Sequence, residues 1–154
     1  MLAFRFSRHD PRASNLGNWT AHSDIGQTFN GQLLSEEKYL RVESAYLEAI
    51  SMLIDTMDVG SSTFTQVFYP TTSAADRSKI AENQKASPDT LIDAFRSGLR
   101  EEVGFILSDA QGAYLFAGFD LYVHFGTATD IDDPRPRIRS LGLFPEDEAW
   151  ILDN

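Results

Sequence analysis

Alternating and aromatic-rich stretches mark the strands that this sequence predicts. In Leu2–Phe6 the large apolar residues Leu2, Phe4 and Phe6 alternate with Ala3 and Arg5, which is typical of a half-buried strand. Thr63–Tyr69 is β-branched and aromatic and stops at a proline, so it predicts another strand. We expect a strand over Val103–Leu107, although its apolar residues also continue a helical stripe. Ala113–Gly126 predicts one bent strand or two short ones, and Gly118 in its middle indicates a bulge.

Two stretches follow a helical period instead. The longer one predicts a helix from about Glu36 to Met57 with Ser35 as its N-cap. A second helix is expected over about Pro88–Glu101, where Ser87 and the proline begin the first turn. The apolar stripe of the longer helix consists of Leu40, Leu47, Ile50, Ile54 and Met57, widened by Tyr39, Tyr46 and Leu53, with Glu43, Glu48 and Asp55 outside it.

Turn residues and prolines predict the remaining connections. Asn30-Gly31 supplies the positive φ angles of a tight hairpin. Residues 71–86 read as a polar loop, with a helical turn around residues 74–82. Pro134 and Pro136 forbid a central strand but allow an extended segment, and Ile138–Phe144 is expected to pair at the sheet margin. Together these elements predict one α+β domain over residues 1–154, with an antiparallel or mixed sheet of about five strands and two main helices on one face.

Composition narrows the class of protein. The 154 residues are 42% hydrophobic, which is ample for a core, and contain no cysteine, so a disulfide framework and a thiolate metal site are excluded. The N-terminus lacks the apolar core of a secretory signal, and no apolar run is long enough for a membrane helix. We therefore expect a cytoplasmic protein.

Charge is concentrated in the last third of the chain. The formal net charge is −10, and residues 101–154 alone hold 11 acidic residues and three arginines. Such a surface repels phosphate backbones and anionic lipid, so nucleic-acid and membrane binding are disfavoured and a basic protein partner is favoured. The alternative is that the acidity serves solubility alone.

One predicted strand carries residues that could do chemistry. If Phe119–Phe125 is extended, Asp120, Tyr122 and His124 share one face, where a carboxylate could orient an imidazole for acid/base work. A polar sheet face with a hydrogen-bonded tyrosine is the favoured interpretation. No nucleophile elbow, metal-protease, phosphate-loop or dinucleotide motif is present, so we expect neither an enzyme nor a cofactor or metal site.

The segment after residue 129 combines both signs of charge. Asp130, Asp132 and Asp133 could hold a hard cation, but they lack the spacing of a calcium loop and favour a solvated acidic loop able to meet a partner's lysines. In extended backbone, the arginines that follow would form one basic ridge; their favoured role is to neutralise the acidic residues around them. These arginines are Arg135, Arg137 and Arg139.

Residues 24–50 contain three short motifs, Asp24-Ile25-Gly26, Phe29-Asn30-Gly31 and Tyr39-Leu40-Arg41-Val42-Glu43 with Tyr46. In these motifs the segment resembles small bacterial immunity proteins of polymorphic or contact-dependent toxin systems. The resemblance implies a cytoplasmic antidote that binds and blocks a toxin domain, commonly a nuclease, and it transfers no binding residue.

The acidic surface leads to the same hypothesis, because an inhibitor of a nucleic-acid-cleaving enzyme must dock on a basic cleft. One alternative is a subunit of a homo- or hetero-oligomeric assembly. The other is a small hydrolase using His124 with Asp120 and Tyr122, aided by Arg137. The candidate partner-binding residues are Asp130, Asp132, Asp133, Glu146, Asp147 and Glu148.

Overall fold

The computed structural model describes residues 1–14, 17–70 and 80–148. Its main sheet consists of β1 (Leu2–Ser7), β4 (Thr63–Phe68), β5 (Gly104–Ser108), β6 (Tyr114–Ala117), β7 (Val123–Thr127) and β8 (Phe144–Asp147). A separate hairpin consists of β2 (Thr28–Phe29) and β3 (Gln32–Leu33). The helices are α1 (Glu36–Ile54), α2 (Pro88–Leu99) and α3 (Arg135–Ser140). No helix in the described ranges has the length and apolar character to cross a bilayer.

The six-stranded sheet is antiparallel throughout, in the order β4-β5-β6-β7-β1-β8. The predicted α+β class is therefore confirmed, with one strand more than expected. Ala113–Gly126 forms two strands, β6 and β7, joined by a tight turn. The predicted hairpin is also present, with Asn30 and Gly31 at φ angles of 51° and 78°.

α1 begins as predicted and ends three residues early. The Lys38 N–H donates to the Ser35 hydroxyl at 3.1 Å, which is the expected N-cap. At the other end, the Thr56 hydroxyl donates to the Leu53 carbonyl at 2.7 Å. The N–H groups of Thr56 and Met57 close tighter three-residue turns, so the last helical residue is Ile54 rather than Met57.

The core lies between the sheet and helices α1 and α2. Phe6 of β1 stacks on Tyr46 of α1 with ring centroids 6.1 Å apart, and both side chains are fully buried. The Tyr46 hydroxyl accepts from the Arg8 N–H at 2.7 Å and donates to the Leu121 carbonyl at 2.8 Å. Burial raises the pKa of Tyr46 well above its ordinary value. This phenol therefore ties α1 to both the end of β1 and the turn before β7.

The segment around Pro134 and Pro136 differs from the prediction. Residues 135–140 form helix α3, not an extended piece, because Pro134 fits the N-cap and Pro136 the first turn, where an N–H has no partner to lose. Pairing at the sheet margin begins only at Phe144, in β8, which lies beside β1. The predicted pairing of Ile138–Phe144 is therefore wrong, and the alternation of the three arginines is not that of a strand.

The outer edge of β4 is covered by the chain that precedes α2. Asn83 donates its N–H to the Phe64 carbonyl at 2.8 Å, and the Phe64 N–H donates to the Gln84 carbonyl at 2.9 Å. Further along, the Glu82 carboxylate accepts the N–H groups of Gln66 and Val67 at 2.9 and 2.8 Å. Most of the helical turn expected around residues 74–82 lies outside the described residues.

Candidate partner-binding surface

Five of the six predicted partner-binding acids lie in two neighbouring chain segments at one end of the sheet. Three of them are in the loop between β7 and α3, and the other two are at the end of β8. Arg135 joins the two groups: its guanidinium binds Asp133 at 2.8 Å and also binds Asp147. We call this surface the acidic rim, and it consists of Asp130, Asp132, Asp133, Glu146 and Asp147.

The members of the acidic rim differ in how far their charge is compensated. The Arg135 guanidinium holds the pKa of Asp133 below its ordinary value. Arg5 lies 3.3 Å from the Glu146 carboxylate. Asp130 and Asp132 are exposed, and in the described part of the chain neither carboxylate forms a hydrogen bond or an ion pair. These two carboxylates are therefore the ones most available to a cationic partner.

Glu148, the sixth predicted acid, is placed differently. It is 1% exposed, and its two carboxylate oxygens lie 2.8 and 3.0 Å from Nδ1 of His124. Arg5 lies 3.9 Å away. Because this carboxylate is buried and already partnered, we leave Glu148 out of the acidic rim.

The face predicted to hold Asp120, Tyr122 and His124 does not form as expected. Residues 119–121 make a tight 3-10 turn, and Asp120 has a φ of 57°, so the alternation of a strand does not extend to it. Asp120 is exposed, and the carboxylate that binds His124 is Glu148. The predicted placement of Asp120 beside His124 is therefore wrong.

The arginines of α3 have separate surroundings. Arg135 neutralises Asp133 and Asp147, as the favoured interpretation of these residues held. Arg137 and Arg139 are exposed on helix α3. Because the segment is helical, the three arginines do not form the ridge expected of extended backbone. In the described ranges, no group of three or more acidic or histidine side chains is arranged to hold a metal ion.

A buried ion pair between α1 and α2 was missed by the sequence analysis. Glu43 was placed outside the apolar stripe, yet its side chain is 3% exposed and its oxygens accept from Arg100 at 2.9 and 3.0 Å. Arg96 lies 3.5 Å away. Burial, followed by the neighbouring Glu43 carboxylate, raises the pKa of the Tyr39 phenol. The exposed Leu40 was expected in the stripe instead, so the buried face of α1 is rotated from the predicted one.

A second surface feature, also missed, lies toward the β4 edge of the sheet, whereas the acidic rim lies at the β8 edge. It is a cavity of about 380 Å³, which we call the aromatic groove. Phe68 and Phe119, which are 50% and 68% exposed, both line it. Periodicity could not predict this exposure, because Phe68 lies within the predicted strand Thr63–Tyr69 and Phe119 within the strand-like stretch Ala113–Gly126. The other lining residues on which its chemistry depends are Glu101, Gly104, Phe116 and His124.

Comparison of the chain with protein-family models, with curated proteins and with solved structures found no match in any of the three.

Proposed function

We propose that this chain is an acidic inhibitor protein that binds a basic toxin domain, of the nuclease class, in the cytoplasm and covers its active site. The observation that carries the proposal is the acidic rim, in which Asp130 and Asp132 present uncompensated carboxylates to solvent. A nuclease cleft is built to receive phosphates, and clustered carboxylates resemble them in charge and in hydrogen-bond acceptance.

Charge over the whole molecule supports the same partner. With a net charge of −10, the field around the protein accelerates encounter with a cationic surface and slows encounter with nucleic acid. Arg135 has a supporting role in this arrangement, because it holds the loop before α3 against the end of β8. Asp133 and Asp147, which come from two chain segments, are therefore held next to each other.

The test compares two double variants that remove equal charge. Asp130→Asn with Asp132→Asn neutralises the acidic rim, whereas Glu48→Gln with Asp55→Asn neutralises exposed acids on and just after α1. Each tagged protein is used to retain partners from its source cells at low and high salt, and the retained protein is identified, purified and recombined with the chain.

We expect a basic protein in a one-to-one complex that inhibits growth when expressed alone and is neutralised by this chain. Its association should be slowed on the order of tenfold by the rim variant and by high salt, and little by the control variant. Equal association of the two variants would contradict the rim as the contact surface. A retained protein whose activity is unaffected by the chain would contradict the inhibitor function.

A further inference from the structure

The aromatic groove combines a mostly apolar lining with a carboxylate. Its floor and walls are aromatic rings, aliphatic side chains and backbone, and its polar side chains are those of Gln66, Glu101 and His124. Among the described lining residues there is no lysine and no arginine, whereas Glu101 contributes a carboxylate. A site with exposed rings and a carboxylate attracts a cation that also carries an apolar stem.

Glycine and aromatic side chains shape this groove. Phe68 of β4 lies opposite Gly104 of β5, and a Cβ on Gly104 would be 2.1 Å from the Phe68 ring. The ring therefore covers the glycine and is held flat on the sheet. On the other side, Phe116 stacks on the His124 imidazole with centroids 4.5 Å apart and planes 8° apart. The stacked Phe116 and His124 rings support each other before any ligand arrives, which lowers the entropy cost of binding.

His124 is oriented so that it can accept from a ligand. Its Nδ1 lies 3.0 Å from the buried Glu148 carboxylate, which favours the tautomer with the hydrogen on Nδ1 and the lone pair on Nε2. Nε2 faces Gly118, at the groove, where a Cβ would lie 3.2 Å away. The imidazole therefore adds a second acceptor to the groove.

Glu101 occupies a position that normally belongs to glycine. It follows α2 with a φ of 61°, its N–H donates to the Gly98 carbonyl at 3.1 Å, and the Glu102 N–H donates to the Ser97 carbonyl at 3.0 Å. This is a Schellman ending, in which glycine is favoured. One Glu101 oxygen accepts from the Asp120 N–H at 3.2 Å, and no ion pair to this carboxylate forms among the described residues. A strained residue thus places an unneutralised carboxylate at the groove.

We propose that the aromatic groove receives an arginine side chain of the basic partner. The planar guanidinium would lie against the exposed Phe119 ring, its methylene stem would cover Phe68, and its N–H groups would donate to Glu101 and to Nε2 of His124. Arginine fits better than lysine because a flat delocalised cation stacks on a ring and donates in several directions. The inference rests on the proposed function for the nature of the partner, but its test does not require that partner.

The test uses a blocked peptide, acetyl-Gly-Arg-Gly-amide, added to the ¹⁵N-labelled full chain while backbone amide shifts are followed. We expect saturable shifts confined to the groove, including the amides of Gly104, Gly118 and Phe119. The same peptide with citrulline, which keeps the shape and lacks the charge, should bind more weakly, as should the peptide with leucine. Glu101→Gln and Phe119→Ala should each weaken arginine binding by about two- to fivefold. Both sites are at the surface, and the unshifted remainder of each spectrum verifies folding.

Asp132→Asn serves as the matched control, because it removes one charge from the acidic rim and should leave peptide binding unchanged. The proposal is overturned if no saturable shift occurs, if shifts lie outside the groove, or if citrulline or leucine binds as tightly as arginine. It is also overturned if groove shifts depend on protein concentration alone, which would indicate a second copy as the occupant. A basic partner that needs the acidic rim but is insensitive to Phe119→Ala would leave the proposed function standing and remove this inference only.

Discussion

The buried carboxylate between α1 and α2 and the two unpaired carboxylates of the acidic rim differ in both exposure and ion pairing. The Glu43 side chain is 3% exposed, and its carboxylate accepts from Nε and Nη2 of Arg100 at 2.9 and 3.0 Å. Asp130 and Asp132 are open to solvent and are not ion-paired within the described residues. The comparison teaches that the acidic residues behind the formal net charge of −10 are not equivalent. Part of it is compensated inside the fold, and only the remainder is available to a partner.

The largest expected effect is at the α1–α2 interface. Glu43→Ala should lower the free energy of unfolding by about 3 kcal/mol, because it leaves the partly buried Arg100 without its carboxylate. The exposed Glu48→Ala, on the same helix, should change it by less than about 0.5 kcal/mol. Chemical denaturation of the two variants measures the difference. Equal destabilisation by the two variants would contradict the idea that burial decides how much a carboxylate contributes to stability.

Glu101, at the end of α2, is intermediate in exposure between the two groups. Its replacement should change the free energy of unfolding in the opposite direction. Glu101→Gly should raise the free energy of unfolding by about 1 kcal/mol, because glycine adopts a positive φ without strain. Loss of the hydrogen bond from the Asp120 N–H offsets part of this gain. Thermal unfolding measures the change, with Glu101→Ala as the control that removes the carboxylate and keeps the strain. A glycine variant no more stable than the alanine variant would contradict strain at this position.

The smallest expected effect is at the acidic rim. The Arg135 guanidinium lowers the folded-state pKa of Asp133, so this pair stabilises the fold above the ordinary Asp pKa and stops doing so as pH falls through the lowered pKa. The Asp133 side chain is 44% exposed, so solvent screens the pair. Asp133→Asn should therefore cost at most about 0.5 kcal/mol at pH 7.

Denaturation at neutral pH and at pH values well below the ordinary Asp pKa tests the sign of this effect. The difference between wild type and Asp133→Asn should disappear in acid, and it should also shrink in high salt at pH 7. A difference that grows as pH falls would contradict the assignment of the effect to the Asp133 charge.

Much of the architecture could be predicted from local pattern. Strand β1, the Asn30-Gly31 hairpin and the Ser35 cap each depend on a few neighbouring residues, and all three are present. The errors lie where two local signals compete. Pro134 and Pro136 satisfy both an extended edge and the first turn of a helix, and the structure forms the helix.

The candidate site could be predicted only in part, because burial depends on distant segments. The acids of the rim are recognisable from composition, but burial of Glu148 requires His124, 24 residues away. Burial of Glu43 likewise requires Arg100, which is 57 residues away. Nor does any local pattern show that Phe119 is exposed, since the turn that presents it depends on Leu121 bonding to Tyr46 across the core.

The cover on the outer edge of β4 has a consequence for how this protein behaves when concentrated. An uncovered edge strand offers a row of N–H and carbonyl groups on which another chain can add a strand, and this is how ordered aggregates grow. Here Glu82 already occupies the N–H groups of Gln66 and Val67, and the neighbouring backbone pairs with Phe64. The Glu82 carboxylate therefore blocks two of the N–H groups that an added strand would need for amyloid-like growth at this edge.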